Sequence, residues 1–344
     1  MALERSVLTY DIISDLLNRH YGINVSAVQK LKLGTANCYK IYDGNKYYFL
    51  KEFQSDFKES SIIEEAKLLD FLSNTDIPVA RFYKTLKNDF IITYQSHFIC
   101  LQEYIDGQTY GYDDLPERLL PQVGRTLGKL HSSLKNYSLP IDMADKWVKG
   151  FSAEKTIEQY DVLIDVAKNK SGDENTSRII DDLQYKKQLA LRCNEYKKYY
   201  NGITYCASHG DYQGCQLIFD RAEIKAIVDF SSASSLPVTW EIMRSFVQSS
   251  TECRKNANID IMALREYVSE YMKYSKLTKN DIISMPYVYL FQLARSKYGY
   301  PQYLNSDSED RNGLLQFAFW RTQICREVEK KANTISSELI KLIN

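Results

Sequence analysis

The 344-residue sequence predicts an α+β chain, with a small antiparallel β-sheet carrying one helix ahead of a larger, mainly helical part. Three observations carry that reading. Strand-like runs joined by short turns crowd the first 105 residues. A break falls at Asp106-Gly107, and helical periodicity dominates beyond it. One short β interruption lies inside the helical part, near residues 203–230. Two units are expected, residues 1–105 and 106–344, and the length suits two at roughly 100–200 residues per domain.

The elements follow in order. Thr9 to Tyr21 reads as an amphipathic helix with Ile12, Ile13, Leu16 and Leu17 on one face, Thr9 as its cap and Gly22 as its stop. Val28 to Leu33 alternates, and Gly34-Thr35-Ala36-Asn37 interrupts it. Cys38 to Tyr42 resumes the pattern, Asp43-Gly44-Asn45 supplies turn chemistry, and Lys46 to Lys51 returns as a strand. A helix is expected over Ser60 to Ser73, from Ile63, Ala66, Leu69 and Leu72. Two apolar strands follow, at Phe90 to Tyr94 and Phe98 to Ile105. Helices are then expected over Leu119 to Leu134 and from about Asn312 onward, with Lys168 to Asn175 as an exposed loop.

Composition excludes several classes. The 44% hydrophobic and 26% charged content is that of an ordinary globular chain. Forty-four basic residues balance 44 acidic ones, which argues against nucleic acid as a partner. No uncharged apolar run reaches the roughly 18–20 residues of a membrane span, and the N-terminus has no apolar signal core. Seven scattered cysteines without a C-x-x-C pair fit reduced thiols. A cytoplasmic protein is expected, with no membrane and no nucleic-acid partner. With 27 Tyr and 14 Phe against 14 Gly and 7 Pro, long helices should outnumber long loops.

The β interruption carries the chemistry. Leu217-Ile218-Phe219 and Ile224 to Phe230 flank a polar turn at Asp220 to Glu223, which suggests a hairpin. With the turn centred near residues 221–222, Asp229 faces roughly residue 214. The hairpin therefore returns Asp229 to the loop that holds Asp211 and Gln216. Two carboxylates and an amide make a set suited to phosphoryl transfer. One carboxylate orients or accepts the acceptor's proton, and the other, with the amide oxygen, holds Mg²⁺.

His209-Gly210-Asp211, an amide five residues after Asp211, and Val228-Asp229-Phe230 resemble the signature of the aminoglycoside phosphotransferase and choline kinase-like phosphotransferases. The resemblance covers most of the chain and implies a two-lobed, protein-kinase-like fold. It implies ATP as phosphoryl donor, with GTP left open, and Mg²⁺. It also implies a small-molecule hydroxyl acceptor of aminoglycoside, amino-alcohol or sugar-like type. Asp211 matches the catalytic base, and Gln216 and Asp229 match the metal ligands. Leu33-Gly34-Thr35-Ala36-Asn37 resembles the loop that covers the phosphates, which assigns Gly34, Thr35 and Asn37 to the nucleotide. Lys51 matches the phosphate-pairing lysine, and Glu65 the helix glutamate that orients it, with Glu64 a less well-aligned rival. Gln102 to Gly107 resembles the hinge, whose Glu103, Tyr104 and Ile105 meet the adenine through backbone groups. Leu127 to His131 is similar to a helix that ends in Leu-His in this family. One departure stands out: the family carries Asn where this chain has Gln216. Gln keeps the amide oxygen but sets it about one methylene further out, which implies a metal site either shifted or weakened.

Other readings compete. A catalytically weak or inactive kinase-like scaffold, of the spore-coat-associated type, is the alternative function, supported by Gln216 and the glycine-poor loop. His209 and His131 read as structural. Cys206, His209 and Cys215 could suggest zinc, but no fourth ligand stands nearby. The acidic run Asp307-Ser308-Glu309-Asp310 reads as a solvated loop before it reads as a cation site. Trp240-Glu241 and the tyrosines of Tyr298 to Tyr303 are equally read as acceptor pocket or core.

Overall fold

The computed structural model describes residues 4–31, 36–139, 143–170, 172–305 and 310–343. In chain order these form α1 (Tyr10–Tyr21), β1 (Ala27–Leu31), β2 (Asn37–Tyr42), β3 (Tyr47–Glu52), α2 (Glu59–Leu72), β4 (Ile92–Tyr94), β5 (His97–Glu103), α3 (Leu120–Leu134), α4 (Met143–Lys149), α5 (Ala153–Lys168) and α6 (Thr176–Tyr196). Then come β6 (Tyr205–Ser208), β7 (Leu217–Asp220), β8 (Glu223–Ile227), β9 (Ser234–Pro237), α7 (Val238–Ser249), α8 (Thr251–Asn256), α9 (Ile261–Met272), α10 (Lys279–Arg295), α11 (Tyr300–Asn305) and α12 (Arg311–Leu339). The order is the α+β one expected.

Two compact units result. The first comprises Met1–Thr109 with Gln216–Ser231, and the second Tyr110–Cys215 with Ser232–Asn344. The hairpin β7–β8 thus groups with the residues of the first unit, beyond a plain division at residue 105. The reason is backbone pairing: Val79 bridges Ile227 and Gln108 bridges Phe219. Such non-local bonds leave no periodic trace in the sequence.

In the first unit, five antiparallel strands lie in the order β1-β2-β3-β5-β4. Helix α1 begins at Thr9, whose side chain accepts the Ile12 N–H, and stops at Gly22 with φ of 67°. Its Ile13, Leu16 and Leu17 pack on Tyr39, Ile41, Tyr48, Leu50, Ile99 and Leu101 of the sheet. Side chains alternate along a strand, so Tyr48 and Leu50 face α1 while Lys51 points to the opposite face. There Lys51 sits in register between Cys38 and Cys100. Helix α2 buries Ile62, Ala66, Leu69 and Leu72, and with them Glu65.

In the second unit, α5, α6, α11 and α12 build one core from Tyr160, Leu163, Leu183, Tyr300, Leu315 and Phe319. A two-stranded pair, β6 with β9, runs from Tyr205↔Pro237 to Ser208↔Ser234. The His209-Gly210-Asp211 loop leaves the end of β6.

Candidate active site

The first unit gathers four of the residues singled out by sequence. Lys51 Nζ lies 4.0 Å from Asp229 Oδ1. Burial opposes its charge, but the carboxylates of Glu65 and Asp229 outweigh burial and raise its pKa above the ordinary lysine value. Glu65 is 5% exposed. Its burial lifts the carboxyl above the usual range, against the pull of Lys51 and of the Phe230 backbone N–H. One buried glutamate of α2 therefore touches both the lysine's field and the strand end that carries Asp229.

The hairpin register explains how Asp229 arrives. Phe219 pairs with Ile224 and Asp220 with Glu223 around the turn, and an irregularity at Ile218/Phe219 shifts the partners by one, so Leu217 faces Ile227. The ladder continues with Val228 N–H donating to the Gln216 carbonyl at 3.0 Å. Gln216 Nε2 then lies 3.5 Å from Asp229 Oδ2, and the Ser231 hydroxyl donates to Asp229 Oδ1 at 2.7 Å. Asp229 adopts φ of 62°, a left-handed conformation that Asp tolerates better than most residues but that usually marks a special site. A carboxylate and a side-chain amide are hard oxygen donors, and a half-turn of the amide exchanges its nitrogen for its oxygen. The pair fits Mg²⁺, which takes one or two protein carboxylates and fills its remaining positions with water and phosphate. Among the described residues no group of three or more His, Cys, Asp and Glu could hold a metal. The zinc reading has no support there, and the Cys206 thiol instead donates to the His131 carbonyl.

Asn37 and the residues that sequence assigns to a hinge have other surroundings. Asn37 is buried, and its side-chain amide donates to the Glu4 carbonyl at 3.1 Å. Glu103 pairs with Tyr48 at the end of β5, and its N–H donates to the Arg81 carbonyl at 2.8 Å. The Tyr104 ring lies 5.8 Å from Tyr47, with Lys40 over its face at 4.2 Å. Ile105 follows on the same segment, partly buried. Gly34 and Thr35 lie outside the described residues, as do Asp307, Ser308 and Glu309 of the acidic run.

In the second unit, Asp211 sits on a loop held from several sides. Its N–H donates to His209 Nδ1 at 3.2 Å, and its carboxylate accepts from Gln213 Nε2 at 3.1 Å and from Arg244 of α7. Gly210 has φ of 81°, and a Cβ there would stand 2.1 Å from the Ser232 carbonyl oxygen. Only glycine fits between Asp211 and the β9 side of the loop. The Gly210 N–H donates to Glu241, which is 1% exposed and accepts from His131 Nε2 at 2.7 Å. The Nδ1 of His131 lies 2.9 Å from the Tyr271 hydroxyl. Burial would raise the Glu241 pKa, but the hydrogen bond from His131, the pull of the two imidazoles and the Gly210 N–H together hold it below the ordinary value.

Both histidines thus have structural contacts, and Glu241 braces the loop from within the protein. Tyr300 bonds Thr322 at 2.8 Å within the core, and Tyr303 belongs to the same core. Sequence reasoning missed Arg244. The signal was present, since Glu241 and Arg244 are three apart on one helix and share a face that reaches the Asp211 loop.

Solved structures share this arrangement of strands and helices at low identity. Amicoumacin kinase, in complex with AMP-PNP, Ca²⁺ and Ami, aligns with a TM-score of 0.62 at 14% identity, over 93% of this chain and 94% of that one. Spectinomycin phosphotransferase with ADP and spectinomycin aligns with a TM-score of 0.64 at 15% identity, over 94% and 100%. A microcompartment-associated aminopropanol kinase aligns with a TM-score of 0.62 at 15% identity, over 97% and 100%. These likenesses establish the kinase-like α+β fold. No curated protein sequence matches the chain. The family model of the phosphotransferase enzymes does, over residues 28–267, and the chain belongs to that phosphotransferase enzyme family.

Proposed function

We propose that the protein transfers the γ-phosphoryl group of ATP to a hydroxyl group of a small molecule. The observation that carries this reading is Lys51 Nζ, 4.0 Å from Asp229 Oδ1, with buried Glu65 acting on both. Lys51 pairs with the nucleotide phosphates, and Glu65 keeps the ammonium aimed and charged. Gly34, Thr35 and Asn37 are assigned to the segment that covers the phosphates, with Asn37 contributing through backbone since its amide is engaged with Glu4. Glu103, Tyr104 and Ile105 meet the base. Asp229 and Gln216 hold Mg²⁺, which when bound neutralises charge on the phosphates. Asp211 takes the proton of the acceptor hydroxyl. The acceptor oxygen bonds to the γ-phosphorus, and the bond from that phosphorus to the β–γ bridging oxygen breaks, releasing ADP.

Two further facts support the reading. Two of the similar structures are complexes with AMP-PNP or ADP, and all three act on small molecules. A cytoplasmic setting suits the seven free cysteines, and no described helix is long and apolar enough to cross a membrane.

The test is an acceptor screen with Mg²⁺ and ATP, read by ADP release together with mass detection of a phosphorylated product. Transfer to at least one hydroxyl compound, lost in Asp211→Asn, is expected. Nucleotide binding without transfer to any acceptor would favour a scaffold instead.

A further inference from the structure

Residues 4–8, which precede α1, lie across the ends of two neighbouring strands of the first unit. Asn37 opens β2 and Glu52 closes β3, and the two are register partners. Both are buried, and both reach this segment. The Asn37 side-chain amide donates to the Glu4 carbonyl at 3.1 Å. Glu52 accepts from the Ser6 hydroxyl at one carboxylate oxygen and from the Val7 N–H at the other, at 3.0 Å. His97 Nδ1 lies 3.7 Å from the second of these oxygens. The Glu4 carboxylate accepts from the N–H and the hydroxyl of Ser55, just beyond β3, at 2.9 and 2.6 Å.

Ser6 is the centre of this contact. A serine hydroxyl offers one donor and two acceptor positions. All are used here: it donates to Glu52 and accepts from the Tyr39 hydroxyl of β2 and from the Leu8 N–H at 2.9 Å. Leu8 is buried in the core that α1 shares with the sheet, together with Tyr39 and Leu50. The segment is thus anchored at both ends, by Glu4 on Asn37 and Ser55 and by Leu8 in the core. A carboxylate with no exposed surface depends on its hydrogen bonds, so losing the Ser6 hydroxyl leaves an acceptor of Glu52 unmet. The next pair on the ladder is Cys38 with Lys51. Strand alternation puts Glu52 on the α1 side of the sheet and Lys51 on the other. From the opposite face, Ser6 therefore fixes the backbone one residue away from the lysine that meets Asp229.

We infer that residues 4–8 are a strap that holds Lys51 in position for the nucleotide, with Ser6 and Glu52 as positioning residues; this rests on the reading of Lys51 as the phosphate-pairing lysine. Displacing a site group by about 1 Å is enough to cost binding or rate. With the strap undocked, the paired ends of β2 and β3 loosen, and only a fraction of molecules presents Lys51 correctly. The apparent affinity for ATP falls by that fraction. By linkage, bound ATP holds the strap down more firmly.

Calorimetry with Mg²⁺ and ATP compares the wild type with Ser6→Ala and Ser6→Thr, and hydrogen exchange follows the Val7 and Leu8 amides with and without Mg·ATP. Ser6→Ala should bind ATP about 5- to 30-fold more weakly. Ser6→Thr, which keeps the hydroxyl, should recover most of that loss. In the wild type, Mg·ATP should slow exchange at Val7 and Leu8 beyond any general slowing seen in α12. A segment that only stabilises the fold would lower the unfolding temperature of Ser6→Ala and leave the ATP affinity of the folded protein unchanged. That result, or exchange at Val7 and Leu8 indifferent to Mg·ATP, overturns the inference and leaves the nucleotide reading standing. Should Ser6→Ala fail to fold, the exchange measurement on the wild type decides. No ATP binding by the wild type overturns both.

Discussion

Lys51 on β3 and Asp229 at the end of the β7–β8 hairpin stand 4.0 Å apart, and the buried carboxylate of Glu65 reaches the field of the one and the chain beside the other. A strand-end lysine left to itself would turn to solvent. Here the sheet's alternation points it inward between Cys38 and Cys100, whose thiols burial pushes up and keeps neutral. The carboxylates of Glu65 and Asp229 are the largest groups that support the lysine's charge.

Replacing Lys51 by Met should therefore raise the KM for ATP and lower kcat together, by about 10- to 100-fold in kcat/KM for a lost charge-assisted hydrogen bond. Glu65→Gln should act in the same direction by a smaller factor, because it alters the lysine's aim without removing it. Steady-state kinetics against ATP concentration checks both. Equal kinetics in the wild type and Lys51→Met would remove the lysine from the site.

Asp211→Asn should cut kcat by about 10²- to 10⁴-fold while leaving the affinity for nucleotide nearly unchanged, since a general base is lost and the shape is kept. Measuring kcat beside a nucleotide dissociation constant separates the two effects. A kcat near that of the wild type would mean the base is another group.

Gln216 reaches Asp229 Oδ2 at 3.5 Å from a backbone position tied to Val228. Gln216→Asn withdraws the amide by one methylene from a loop built around the longer side chain. The Mg²⁺ concentration for half-maximal rate should rise several-fold, and Gln216→Ala should raise it at least as far. Superimposable Mg²⁺ titrations of all three proteins would confine Gln216 to a structural role.

Glu241 gives a stability prediction with a definite sign. Its folded pKa lies below the ordinary 4.5, so its contribution is present above about pH 4.5 and is lost as pH falls through the lower folded value. Glu241→Gln should cost on the order of 3 kcal/mol near neutral pH, because His131 and the Gly210 N–H lose a buried anion. Thermal unfolding at several pH values should show the gap between the two proteins narrowing below about pH 4.5. A gap independent of pH would contradict the assignment of a charged Glu241.

Much of this was legible in the sequence where the determinants are local. Thr9 and Gly22 bound α1 because caps act within one turn. The hairpin turn at Arg221-Ala222 and the return of Asp229 toward Gln216 followed from pairing across a short loop. The rest depends on contacts distant in sequence. The bridges from Val79 and Gln108 that tie the hairpin to the first unit follow no period, and neither does the meeting of Arg244 with Asp211. Trp240-Glu241 reads equally as pocket or core, because a helical core rich in Tyr predicts the same pattern. The His131 bond that decides it for Glu241 comes from another helix.

The central claim, that Lys51, Glu65 and Asp229 form a nucleotide site completed by Mg²⁺, is tested most directly by calorimetry of ATP binding. Titrations are made with Mg²⁺ and with EDTA, on the wild type and on Asp229→Ala. The wild type should bind ATP more tightly with Mg²⁺, and Asp229→Ala should lose most of that difference while retaining the weaker, metal-free binding through Lys51. ATP binding in the wild type that is indifferent to Mg²⁺, or a Mg²⁺ effect of full size in Asp229→Ala, would contradict the account.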